Sequence, residues 1–338
     1  MSLWVYGLTL TLVMYNCKKK DEPFPTEPDS ELVKEINAID METVTLVQPV
    51  AVTTTPSSLV VSAKATEVAG ALSTLSSGTV PPTVQTASND MNAALTSAEL
   101  NTLAAVTPAT INDIAGGGAL PANLKAIMDK VMANPALLAY LPKMTLPTVN
   151  GKTVSGRTGT PESVEKVDGI EIEDACLIAA QAAFDAVKTK LDAKKATQDA
   201  QIAAAYSAAI APLAAEQASC TSGIPATYAT MRTAAQAQAT SSLNDLEAAK
   251  SVIPAGLYVA IKAFINIQLL NFLSSVNTLQ AADLKACSEK TAAATAAAAA
   301  ARDANTAAVN ASYNAAIAKA TTKKGELAQS CHNQGGGR

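Results

Sequence analysis

Along this chain the rhythm of apolar positions changes twice. Between residues 29 and 145 apolar residues come in short bursts separated by Ser, Thr, Pro and Gly, a pattern that predicts short helices. The bursts fall at 29–40, with Asp29 or Ser30 as the cap, then at 63–75, 87–95, 97–105, 108–114, 121–132 and 135–141. Ser97-Ala98-Glu99 and Thr107-Pro108-Ala109 read as helix starts. The interval 44–61 is rich in β-branched residues but carries Pro49 and Pro56, so it predicts an extended segment or an edge strand. From 146 to 169 the apolar period disappears and Gly, Thr and Pro dominate, which predicts a linker.

From residue 170 the pattern is that of long helices. Two Ala-rich segments, 176–220 and 287–331, are bracketed by cysteines at equal spacings of 44 residues. The numbers of the outer pair, Cys176 and Cys331, add to the same total as those of the inner pair, Cys220 and Cys287. Residues of two antiparallel helices face each other at a constant sum, so these pairs would staple two such helices at both ends. Joining Cys176 to Cys220 would need a turn near residue 198, where no Gly or Pro stands, and one helix of that length spans roughly 66 Å, far beyond disulfide reach. The parallel pairing, Cys176 to Cys287 and Cys220 to Cys331, would need the connector to return along the whole length, and four free buried thiols remain a further alternative. Leu191, Ile202 and Leu213 recur at every eleventh position, a quarter of the cysteine spacing. In the antiparallel register Leu191 faces Ala316, Tyr206 faces Ala301 and Ile210 faces Ala297, large against small. Pro212 should kink the first helix or end it early.

The stretch between the inner cysteines predicts a polar helix at 226–251, a turn at Ile253-Pro254-Ala255-Gly256 and a very apolar helix at 257–279. The whole is then an up-down-up-down arrangement of four helices. The fold class expected is mainly α: an elongated antiparallel helical bundle or coiled-coil-like hairpin stapled by disulfides, with an N-terminal region of short helices and irregular extended segments. The helix at 257–279 is apolar nearly all round and about long enough to span a bilayer, but Lys262, Asn266, Gln268 and Asn271 interrupt it and favour burial.

The first residues supply an address. An apolar core at 3–15 is too short to span a bilayer and suits a signal peptide. Cys17 follows it, then Lys18-Lys19-Lys20-Asp21-Glu22 and a Pro-containing tether. This order resembles the signal peptides of bacterial lipoproteins, and more narrowly those of surface-exposed lipoproteins of Bacteroidetes-type bacteria. It departs from that pattern in lacking a basic residue before the core and in the triplet Met14-Tyr15-Asn16. The resemblance implies lipidation of Cys17, a mature N-terminus there, and an outer-membrane protein facing outward, with the periplasmic face as the alternative. Of five cysteines it leaves an even four for an oxidising compartment. The expected organisation is a signal peptide 1–16, a lipidated tether 17–28, a short-helix region 29–145, a linker 146–169, a disulfide-stapled bundle 170–332 and a tail 333–338.

Composition narrows the function classes. The net charge of –4, a pI near 5.2 and the lack of a basic cluster argue against nucleic acid. Aromatics at 4% are sparse for a carbohydrate site built on stacking. Cys331-His332 does not close a tetrahedral metal site, and there is no Cys-x-x-Cys. Gly116-Gly117-Gly118 lacks the strand and the Lys-Ser/Thr of a phosphate loop and reads as a helix stop. Asp21-Glu22 and Glu171 with Glu173-Asp174 fall in a tether and at a helix start. The expectation is a non-enzymatic, cofactor-free envelope protein, lipid-anchored at Cys17, acting as a rigid helical spacer or interaction module toward another envelope protein or itself. The alternative is a helical pore-former using 257–279.

Overall fold

The computed structural model describes residues 29–154 and 175–333. The signal peptide, Cys17 and its tether, residues 155–174 and residues 334–338 lie outside the described residues. In chain order the helices are α1 (Ser30–Ala38), α2 (Ala63–Leu72), α3 (Pro82–Ala94), α4 (Ser97–Ala104), α5 (Pro108–Ala115), α6 (Ala122–Ala133), α7 (Pro135–Leu138), α8 (Ala175–Ile210), α9 (Leu213–Ser222), α10 (Ile224–Ala248) and α11 (Ala255–Asn333). The strands are β1 (Thr54–Thr55), β2 (Ser58–Val60), β3 (Lys143–Thr145), β4 (Thr148–Val149) and β5 (Lys152–Thr153). The chain is mainly α, as its pattern predicts.

Both disulfides take the antiparallel pairing. Cys176 is bonded to Cys331 with Cα atoms 5.9 Å apart, and Cys220 to Cys287 at 5.8 Å. The expected third and fourth helices, however, are one. Between Gly256 and Gly325 α11 meets neither Gly nor Pro. The switch near residue 280 from large apolar residues to alanine changes packing and gives no stop signal. Pro212 does interrupt its helix: α8 ends at Ile210 and α9 begins at Leu213. Pro212 nevertheless keeps helical angles (φ –77°, ψ –17°), and its carbonyl accepts from the Glu216 N–H at 2.9 Å.

The chain forms two compact units whose limits cross the expected domain boundaries. Among the described residues one combines 29–49, 175–208 and 298–333; the other combines 50–154 and 209–297. The division is not consecutive because α11 supplies a wall to each.

In the first unit Val187, Leu191 and Ile202 of α8 pack against Val309, Ala316 and Ala320 of α11, large residues against mostly small ones. Helix α1, capped by the Asp29 carboxylate on the Glu31 and Leu32 N–H groups, adds Ile36 to this core. The extended chain that follows lies on the helix pair with no strand beside it among the described residues, so its part-buried backbone groups take partners from side chains. Asn305, 3% exposed, accepts from the Val47 N–H at 2.8 Å and donates to the Val47 carbonyl at 3.0 Å. Gln198, 4% exposed, accepts from the Val44 N–H at 2.8 Å and donates to the Glu42 carbonyl at 3.4 Å. Lys194 donates to the Met41 carbonyl at 2.7 Å, and its hydrogen bond to Asp40 holds that carboxyl below the ordinary range.

In the second unit the apolar stretch of α11 is the core. Ile261, Ile267, Leu270 and Leu273 are fully buried beneath the short helices, together with residues of α10. Helices α4 and α5 belong to a tandem repeat: Thr96–Val106 aligns with 107–117, matching Thr96 with Thr107, Asn101 with Asn112 and Leu103 with Ile114. Each helix presents a C-terminal carbonyl to an asparagine of α11. Asn266 donates to the Leu103 carbonyl at 2.8 Å and Asn277 to the Ile114 carbonyl at 2.6 Å, both across 163 residues of chain.

The first part of the expected linker, up to Val154, is folded. β4 and β5 form a hairpin on Asn150-Gly151, both at positive φ (50° and 72°), the geometry of a two-residue primed turn. β1 pairs with β4, β2 with β3, and Val149 and Val154 are buried.

Asn305→Ala removes both partners of Val47. The expected result is a loss of about 1–3 kcal/mol in chemical denaturation, with amide exchange at Val47 accelerated far more than at Val187.

Candidate functional site

The four bundle cysteines are consumed in disulfides, so Cys331 offers no thiolate to a metal beside His332. Among the described residues no group of three or more His, Cys, Asp or Glu side chains could hold a metal ion. Gly116-Gly117-Gly118 ends α5. The Gly118 N–H donates to the Asp113 carbonyl at 2.8 Å, and Gly117 takes φ +97°, a left-handed angle open to glycine. The capping box that starts α4 is complete: Thr96 Oγ1 accepts from the Glu99 N–H, and the Glu99 carboxylate accepts from the Thr96 N–H at 2.7 Å. That bond, with Lys130 alongside, lowers the Glu99 carboxyl to about 2.

Two concavities formed by described residues lie within the second unit. The smaller, about 370 Å³, lies beside the Cys220–Cys287 disulfide and holds a triangle of polar groups. Tyr228 donates to Asp283 Oδ2 at 2.6 Å, Ser57 donates to the same oxygen at 2.8 Å, and the two hydroxyl oxygens are 2.8 Å apart. Burial, and then the hydrogen bond to Asp283, push the Tyr228 hydroxyl up to about 12. At neutral pH Tyr228 is therefore a fixed donor, far from the value a general base needs. Asp283 already accepts from Tyr228, and among the described residues no imidazole or amine joins the triangle to take a proton from Ser57. The arrangement ties the segment at Ser57 to α10 and α11.

The larger concavity, about 640 Å³, is a groove walled by α2 and α10 and floored by α11. On α10 its lining recurs at Met231, Ala235, Gln238 and Ser242, one face of a helix; on α11 it recurs at Phe264, Gln268 and Phe272, with Ile265 and Leu269 beside them. On α2 it is made of Ala65, Thr66, Ala69 and Gly70. Ala, Gly and Ser on two walls leave unfilled the space above a floor of Phe, Ile and Leu. A Cβ built on Gly70 would meet nothing within 4 Å.

Most of these side chains are not ones the sequence singled out, although the floor belongs to the apolar helix at 257–279. Gln268 stands out as a polar break in 257–279, but its lining role depends on α2, which is remote in the chain. Ser242 and Asp283 sit in polar helix sequence that carries no such signal. The signal that was available is the recurrence of small residues on α10, Ala234-Ala235 and Ala239, opposite the bulky face of α11.

Tyr140 behaves like Tyr228: burial, and then its bond to Asp90 at 2.9 Å, raise it to about 12. A folded value above the ordinary 10 means that these ties stabilise fully below pH 10 and lose that contribution as pH rises from 10 to 12. Ultraviolet titration should show two tyrosines ionising about two pH units late and together with unfolding, and Tyr228→Phe should remove one of them. Compared with known proteins, the chain matches no family model, no curated protein and no solved structure.

Proposed function

We propose that this protein is a non-enzymatic scaffold of a bacterial cell envelope, anchored by a lipid on Cys17 and acting as a rigid helical spacer or interaction module. The observation that carries the reading is the pair of disulfides. Both join α11 to an antiparallel partner, one in each unit, and bonds of this kind persist in oxidising compartments outside the cytosol. The leader-like sequence and the lone Cys17 point to the same destination. The apolar stretch 257–279 is occupied as the core of the second unit, which favours a scaffold over a pore-former. Contact with a partner, another envelope protein or a second copy, would use apolar surface left open near β2, where Val60 and Val61 are more than half exposed.

Radiolabelled palmitate should enter the wild-type protein and not Cys17→Ala; equal labelling of the two would remove the anchor. The staples make a separate claim. Replacing Cys220 and Cys287 by Ser opens a loop of 67 residues and should cost roughly 4 kcal/mol of stability in urea. A loss below about 1 kcal/mol would mean that the helices need no covalent help.

A further inference from the structure

We infer that the groove between α2, α10 and α11 binds an uncharged long-chain lipid whose head carries hydroxyl, ester or amide groups, whether or not Cys17 is acylated. Three observations converge on that chemistry. The first is size and character: about 640 Å³, floored by Phe264, Ile265, Leu269 and Phe272, falls within the range of small-molecule sites and has their apolar majority. On α10 the lining runs from Met231 to Ser242, roughly 16 Å of helix, which suits an extended hydrocarbon chain.

The second is the polar inventory. Ser242 is 4% exposed and lines the groove, yet its hydroxyl bonds to no described residue, not even the carbonyl one turn back that mid-helix Ser and Thr commonly use. Its oxygen is reached by solvent from the groove, and a ligand oxygen or N–H aimed at it would take the place of that water. The Gln238 and Gln268 amides line the same groove and are likewise unbonded. One hydroxyl and two amides both donate and accept, which matches a neutral ester, alcohol or amide.

The third is charge. Among the described residues no Asp, Glu, Lys, Arg or His lines the groove. A carboxylate, phosphate or ammonium drawn into it would lose its hydration with no counter-charge to replace it. The ligand is therefore neutral where it enters, with its polar group on the Ser242, Gln238 and Gln268 side and its chain along the aromatic floor.

The test uses the full chain, freed of co-purifying lipid by solvent extraction and refolded with its disulfides intact. Titration calorimetry below the aggregation limit of each probe compares 1-monooleoylglycerol with oleate at pH 9, the same tail with a charged head. Saturable 1:1 binding of monooleoylglycerol, with oleate at least about tenfold weaker, is expected. Ser242→Ala should weaken it about three- to tenfold, the loss of one neutral hydrogen bond. Gly70→Phe, whose side chain has open space to enter, should abolish binding while leaving the circular-dichroism melt unchanged. If that variant fails to fold, Ala69→Leu narrows the same wall. Oleate binding as tightly as monooleoylglycerol, binding indifferent to both wall variants, or no saturable binding at all would each overturn the proposal. None of these outcomes bears on palmitate labelling of Cys17.

Discussion

The antiparallel register of α11 against its partner helices is the constraint on which the remaining contacts depend. In the first unit it pairs Cys176 with Cys331, Asp192 with Tyr313 and Tyr206 with Arg302. In the second it pairs Cys220 with Cys287, Tyr228 with Asp283 and Glu247 with Tyr258. Residue numbers in every one of these pairs add to nearly the same total. A slip of one residue would rotate a helix by about 100° and take every such partner off its face. Alanine-rich helices are poor at preventing slips, because small side chains interlock weakly and bury little area. Sulfur bridges and tyrosine–carboxylate ties supply the specificity that the thin seam lacks.

Amide side chains do a second job. Where an irregular element lies on a helix, its backbone cannot pair with a backbone already saturated by i to i–4 bonds. Asn305 and Gln198 act as single rungs of a ladder for the segment around Glu42, Val44 and Val47, while Asn266 and Asn277 take the ends of α4 and α5. The arrangement leaves one loose thread: Asn266 Oδ1 is buried with no partner among the described residues. These amides explain why polar residues interrupt helices that are otherwise apolar or alanine, since each sits where a foreign backbone arrives.

Much of this architecture can be read in the sequence because covalent and helical geometry are both arithmetic. Cysteine positions disclose register, and helix starts at Asp29 or Ser30, at Ser97 and at Thr107 can be read from capping chemistry, although the cap of α4 proves to be Thr96. The four-helix expectation fails where a hydropathy change near residue 280 was equated with a break, although nothing there terminates a helix. The hairpin at Asn150-Gly151 carries a strong local signal but stands in a stretch whose composition suggests a linker. The groove was out of reach for a different reason. It exists because α2, far upstream of α10 in the chain, lines the facing wall with Ala and Gly, and no local pattern reports a space left empty between remote segments.

The alignment of α4 with α5 on Asn266 and Asn277 has a consequence for how such a chain can change size. Eleven residues are just over three helical turns, so an added block of that length returns nearly the same face of α11 to its neighbours. Growth of the second unit would then be quantised: one more short helix, one more asparagine three turns on, and a matching block in α10 to keep the sulfur atoms opposite each other. Insertions of any other length would turn the seam outward, so length variation in this architecture is confined to whole layers.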